Sequence, residues 1–67
     1  MVILHAVSTG ANGVPVSHAR IIHQSIGSAR AEGESMVSRV PSYARISIGD
    51  KYGNRLETFD RPTGRWL

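Results

Sequence analysis

Tyr43 to Gly49 alternates with a period of two. Ala44, Ile46 and Ile48 fall on one parity, and Tyr43, Arg45 and Ser47 on the other. That period belongs to a strand with one buried and one open face. The turn-forming run Asp50-Lys51-Tyr52-Gly53-Asn54 follows, and Arg55 to Asp60 reads as the return strand, so the segment predicts a hairpin. An isolated hairpin is marginal in water; its apolar face needs more strands or a covering helix. One detail of the return strand bears on register: Leu56 and Thr58 share a parity, while Phe59 has the other. Either a bulge shifts the strand or its second face is also apolar.

The rest of the chain supplies the cover. Val2 to Val7 is a short, nearly continuous apolar run that predicts a buried strand, ended by Thr9-Gly10-Ala11-Asn12-Gly13. Pro15-Val16-Ser17 then opens the next element. Ala19, Ile22, Ile26 and Ala29 recur at spacings of three, four and three, which predicts a helix starting near Ser17, with Gly33 as its stop. Gly27 costs helix stability, and a close approach of helix to sheet is one reason to place a glycine there. Beyond Gly33 the residues Glu34 to Val40 read as a strand ended by Pro41-Ser42. Arg61-Pro62-Thr63-Gly64 has the proline and glycine placement of a type I turn, and Arg65-Trp66-Leu67 is a short last strand. The expected fold is α+β: one N-terminal strand, one helix, and an antiparallel meander of three to four strands.

At 67 residues the chain is a single small domain, residues 1–67, with a core near the lower limit of independent stability. It has no cysteine, so disulfides and thiolate metal sites are excluded, and oligomerisation or docking on a larger partner is the expected support. Met1 to Val7 is too short for a signal peptide, and no apolar run approaches the roughly 20 residues of a membrane span. A cytoplasmic protein with no membrane partner is expected. The loop Gly10-Ala11-Asn12-Gly13 lacks the Lys-Ser or Lys-Thr of a phosphate-binding loop, so it reads as a connecting turn and no cofactor is expected. His18 and His23 are five apart and do not share a helix face, which argues against a metal site. No nucleophile motif is present, and a domain this small has little room for a water-excluding pocket, so an enzyme is not expected.

The candidate function lies in the arginines. Seven of the eight basic residues are arginine, the formal net charge is +3 and the pI is near 10.2. Five arginines, Arg39, Arg45, Arg55, Arg61 and Arg65, lie in the last 29 residues, together with Tyr43, Tyr52, Phe59 and Trp66. Strand parity places Arg39, Arg45 and Arg55 in a lateral row on the open sheet face, with Tyr43 beside them. The planar, permanently charged guanidinium suits phosphate, and a neighbouring tyrosine can stack a base. The competing explanation is ordinary cross-strand pairing with Glu57, which shares a parity with Arg55. Arg61, Arg65 and Trp66 form a second candidate at the C-terminal turn, since Trp and Arg are enriched among interface anchors; alternatively Trp66 closes the core.

The order of a strand, a Ser-x-Ala helix and a meander ending in Gly-Arg-Trp resembles small phage proteins that block CRISPR surveillance complexes. The residues concerned are Val16-Ser17-His18-Ala19, Tyr43-Ala44-Arg45-Ile46 and Thr63-Gly64-Arg65-Trp66. The resemblance implies docking on the nucleic-acid path of a Cas assembly, with Arg39, Arg45, Arg55 and Arg65 as contacts. The positive net charge departs from the acidic, DNA-mimicking members of that group. The expected function is a small basic binding protein, an anti-CRISPR-like phage or mobile-element inhibitor that occludes a nucleic-acid or nucleoprotein surface of a host complex. The first alternative is a dimeric DNA- or RNA-binding regulator that contacts nucleic acid directly, with a homodimer as its working form. The second is a structural or assembly subunit.

Overall fold

The computed structural model describes residues 1–10, 12–39 and 43–67, with residues 43 and 44 as backbone alone. The elements are β1 (Val2–Thr9), β2 (Pro15–His23), α1 (Ile26–Arg39), β3 (Tyr43–Gly49), β4 (Arg55–Asp60) and β5 (Arg65–Trp66). The fold is α+β: one five-stranded sheet in the order β2-β1-β3-β4-β5, every pairing antiparallel, with the helix packed on one face. Among the described residues no helix is long and apolar enough to cross a membrane.

Two element assignments differ from expectation. Residues 15–23 form a strand where a helix was expected, and the helix occupies residues 26–39, where Glu34 to Val40 had read as a strand. Val40, Pro41 and Ser42 lie outside the described residues. The strand wins because the turn after β1 closes a hairpin. Gly10 N–H donates to Val14 O at 2.8 Å, Gly13 N–H donates to Gly10 O at 2.9 Å, and Gly13 adopts φ +80°, which suits glycine. β2 then pairs with β1 along its whole length, from Thr9↔Pro15 to Val2↔His23. Ala19 and Ile21 reach the core while Arg20 and Ile22 are exposed, a period of two that the Ile22–Ile26–Ala29 spacing had masked.

The helix starts where Ser25 caps it. Ser28 N–H donates to Ser25 Oγ at 3.2 Å, and Ala29 N–H donates to Ser25 O at 3.2 Å as the first helical bond. Its buried stripe is Ile26, Ala29, Gly33, Met36 and Val37, which packs on Leu4, Ala6, Ile46 and Ile48 of the central strands. Gly33 is not the helix stop but its closest approach to the sheet: a Cβ there would lie 2.7 Å from Trp66 Cη2 and 3.2 Å from Leu4 Cδ1. At Gly27, by contrast, a Cβ would meet only Ser25 Oγ, at an unstrained 4.0 Å.

Trp66 thus seals the end of the core. Its ring meets Phe59 edge-on, with centroids 5.2 Å apart, and Trp66 Nε1–H donates to Glu34 Oε2 at 3.0 Å. The turn before it falls at Arg61–Gly64 as read, but it closes one residue wider than a type I turn over those four: Gly64 N–H donates to Asp60 O at 2.8 Å with Gly64 at φ +70°. Paired bonds between Thr58 and Leu67 extend the last pairing to Leu67.

Candidate functional site

The sheet face away from the helix is the open one, and the registers place its residues in rows. One row runs Arg20–His5–Ser47–Thr58 across β2, β1, β3 and β4. Two residues further along β2, β1 and β3, and three along β4, the next row runs Ile22–Ile3–Gly49–Arg55. On the other side Ser17, Val7 and Arg45 form a third. Adjacent strands are about 4.8 Å apart, and rows about 7 Å apart, so Arg20, Arg45 and Arg55 bracket His5 from three different strands.

Arg55 owes its place to a bulge. Gly49 pairs with Arg55 and Ile48 with Glu57, leaving Leu56 as the extra residue. The bulge sends Glu57 and Phe59 to the helix side. Glu57 therefore does not share a face with Arg55, contrary to strand parity. Its carboxylate is instead gripped in bidentate fashion by Arg30 of the helix, with Arg30 Nε–H donating to Oε1 at 2.6 Å and Nη2–H to Oε2. Those hydrogen bonds hold the Glu57 carboxyl below the usual carboxylate range.

The other carboxylates are similarly occupied. Glu32 pairs with His23 at 2.6 Å and Glu34 accepts from Trp66, both on the helix side. Asp50 Oδ1 accepts from the backbone N–H groups of Tyr52 and Asn54 at 2.8 and 2.9 Å, and Oδ2 accepts from Asn54 Nδ2 at 3.0 Å. The Asn54 side chain is the largest influence lowering the Asp50 pKa, and backbone donors add to it. Asp60 Oδ2 accepts from Thr63 Oγ1 at 2.5 Å in the last turn. Among the described residues, no carboxylate forms an ion pair with Arg20, Arg45 or Arg55.

Arg20 and Arg55 wall a depression of about 140 Å³, floored by Ile3, His5, Ser47 and Gly49 and closed at one end by the Asp50–Asn54 turn. His5 Nε2 lies 2.9 Å from Ser17 Oγ, which fixes the ring. Burial lowers the His5 pKa from its ordinary 6.5, and Arg20, Arg45 and Arg55 lower it further by charge repulsion. Tyr52, 78% exposed, stands in the β3–β4 turn next to the depression, with Lys51 Nζ 5.2 Å from its ring centre. A second depression, about 410 Å³, opens where β3 and β4 diverge, with Val7, Ile46 and Phe59 among its lining and Arg45 and Arg61 at its border.

Of the residues singled out in the sequence, Arg45 and Arg55 come together on this face. Arg39 does not: it ends α1, its Nε–H 3.4 Å from Ser35 O, where a cation suits the helix dipole. The lateral row Arg39–Arg45–Arg55 is thus replaced by Arg20, Arg45 and Arg55. Tyr43 lies in β3, with its side chain outside the described residues. Arg61 sits in the last turn, and Arg65, exposed, pairs in register with Asp60. Trp66 belongs to the core's edge. Sequence reasoning missed Arg20 and His5; the alternation Ala19-Arg20-Ile21 was the available signal, legible once residues 15–23 are read as a strand. Comparison of the chain with protein-family models, with curated proteins and with solved structures gave no match.

Proposed function

We propose that this chain is a small, non-enzymatic binding protein that docks its open sheet face on the phosphate backbone of a single-stranded nucleic acid, in the cytoplasm. The observation that carries this reading is the placement of Arg20, Arg45 and Arg55 on three strands around His5, while the nearby carboxylates are used in turns or on the helix side. Phosphate is the complement of such a surface, because each guanidinium keeps its charge and presents a planar fork of donors. A flat sheet face with Tyr52 at one margin and an apolar depression at another suits splayed bases better than a closed duplex.

The same geometry weighs against docking on the basic nucleic-acid path of a protein complex, since that competitor needs an acidic surface. Inhibition by occlusion remains a consequence of the proposed binding. A protein seated on a strand blocks any complex that uses that strand, whether the source is a phage or a host. Fluorescence anisotropy with labelled oligothymidine and with a duplex of equal length, in low salt, tests the reading. Saturable binding that favours the single strand is expected. Absence of binding to either probe would overturn it.

A further inference from the structure

We propose that the depression between Arg20 and Arg55 seats one phosphate group of the bound strand, and that His5 in its floor donates to that phosphate as an imidazolium. The proposal rests on the reading of the open face as a nucleic-acid interface and assigns its central contact. Arg20 lines the depression from β2 and Arg55 from β4, so the two arginines border it from opposite sides of β1 and β3. His5 lies between them on β1, directly opposite Arg20 and Ser47 in the two registers. Gly49 keeps the floor open. It also allows the β3–β4 turn to close, because a Cβ there would meet Asn54 O at 3.0 Å.

The charged and polar groups around His5 are Arg20 and Ser17 from β2, Arg45 and Ser47 from β3, and Arg55 from β4. The helix packs on the opposite face and sends none. The nearest acid along the depression, Asp50, has its oxygens committed to Tyr52 and Asn54. In the free protein, burial and three guanidiniums therefore oppose a charge on the imidazole. A phosphate in the depression reverses that balance, since it attracts both the guanidiniums and the proton. One ring nitrogen faces Ser17 Oγ. Protonation turns both nitrogens into donors, leaving the other available to a phosphate oxygen. Binding and proton uptake at His5 are then linked, and each favours the other.

The expected consequence is an affinity that rises as pH falls. Uptake of one proton allows at most about a tenfold gain per pH unit, between the His5 pKa of the free protein and that of the complex. Oligothymidine is a suitable probe because neither its phosphodiesters nor its bases titrate between pH 5.5 and 7.5. At constant ionic strength its affinity is expected to rise about fivefold or more across that range, and to stay flat for His5→Gln. In the unaltered protein, the His5 ring pKa read by NMR should rise when oligothymidine is added. Inorganic sulfate, fully ionised throughout, distinguishes a polymer backbone from a free oxyanion. Oligothymidine binding with no pH dependence and an unmoved His5 titration would overturn this inference while leaving the face itself intact. A His5 pKa raised by sulfate with no oligothymidine binding would support the oxyanion seat and overturn the nucleic-acid reading. A His5 titration moved by neither probe would overturn the seat.

Discussion

Replacing Arg20, Arg45 and Arg55 together by alanine removes the proposed phosphate contacts without touching the core, because all three side chains are exposed on the face away from the helix. The magnitude follows from counterion release. For single strands the slope of log K against log salt is about −0.7 per phosphate neutralised, so three contacts contribute about −2. Between 50 and 200 mM salt, a fourfold rise, those three contacts account for about a 20-fold loss of affinity. The triple variant should therefore bind weakly in low salt, with a slope flatter by about 2. Anisotropy titrations with oligothymidine at four or five salt concentrations measure this directly, and circular dichroism checks that the variant is folded. Arg39→Ala is the matched control, since it removes the same charge from the helix terminus. Equal losses from Arg39→Ala and from each single face variant would refute the site, because net charge alone would then explain binding. An unchanged slope in the triple variant would refute it as well.

Two glycines of the same helix should respond with opposite sign. Gly33→Ala forces a Cβ to within 2.7 Å of the Trp66 ring, and an overpacking cost of about 1–3 kcal/mol outweighs the roughly 1 kcal/mol gained in helix propensity. Thermal denaturation should show a lower Tm for Gly33→Ala and, because a Cβ at Gly27 would meet only Ser25 Oγ at 4.0 Å, a Tm higher by a few degrees for Gly27→Ala. Glu57 has a folded pKa below its ordinary value of 4.5, so its pairing with Arg30 stabilises the fold above that pH and the contribution disappears as pH falls through the folded pKa. Tm measured from pH 6 to pH 2.5 should fall less steeply for Glu57→Gln than for the unaltered chain; identical profiles would assign the acid sensitivity elsewhere, Asp50 being the next carboxyl with a lowered pKa. Trp66→Ala deletes the packing against Phe59 and Gly33 and the bond to Glu34, and should cost about 2–3 kcal/mol by urea titration, below the 3–5 kcal/mol of a fully buried aromatic because Trp66 is half-buried.

The hairpin of β3 and β4 was legible because each of its parts signals locally: strict alternation, Asp and Gly in the turn, and a return strand of matching length. The terminal turn at Arg61–Gly64 was legible for the same reason. The first half of the chain was not, because its decisive pairing is non-local in pattern. Val16 to Ile22 carries both a helical and a two-residue period, and the choice falls to β1, which pairs with it from Thr9↔Pro15 to Val2↔His23, with one register shift at His18, and leaves no free chain for a helix before Ser25. The error moved the site as well. Once β2 is a strand, Arg20 joins the open face; once α1 runs to Arg39, that arginine leaves it. The bulge at Leu56 was foreseen as one of two explanations for Phe59, and it alone separates Glu57 from Arg55.

That separation determines the character of the face more than the net charge does. A charge of +3 spread evenly over so small a surface favours nothing in particular. Here the helix-side carboxylates are engaged by Arg30, His23 and Trp66, and the turn carboxylates by Asn54, backbone N–H groups and Thr63. Each of these bonds also stabilises the fold: two tie the helix to β2 and β4, one ties it to the terminal tryptophan, and the rest shape the hairpin turns. The interactions that hold a marginal core together are thus the ones that keep acids away from Arg20, Arg45 and Arg55. Loss of the Glu57–Arg30 pair should therefore weaken stability and leave oligothymidine affinity unchanged in the folded fraction, whereas a carboxylate placed on the open face, as in Thr58→Glu beside Ser47, should leave Tm nearly unchanged and weaken binding. If Thr58→Glu bound oligothymidine as tightly as the unaltered chain, the segregation of charge would have no bearing on ligand binding.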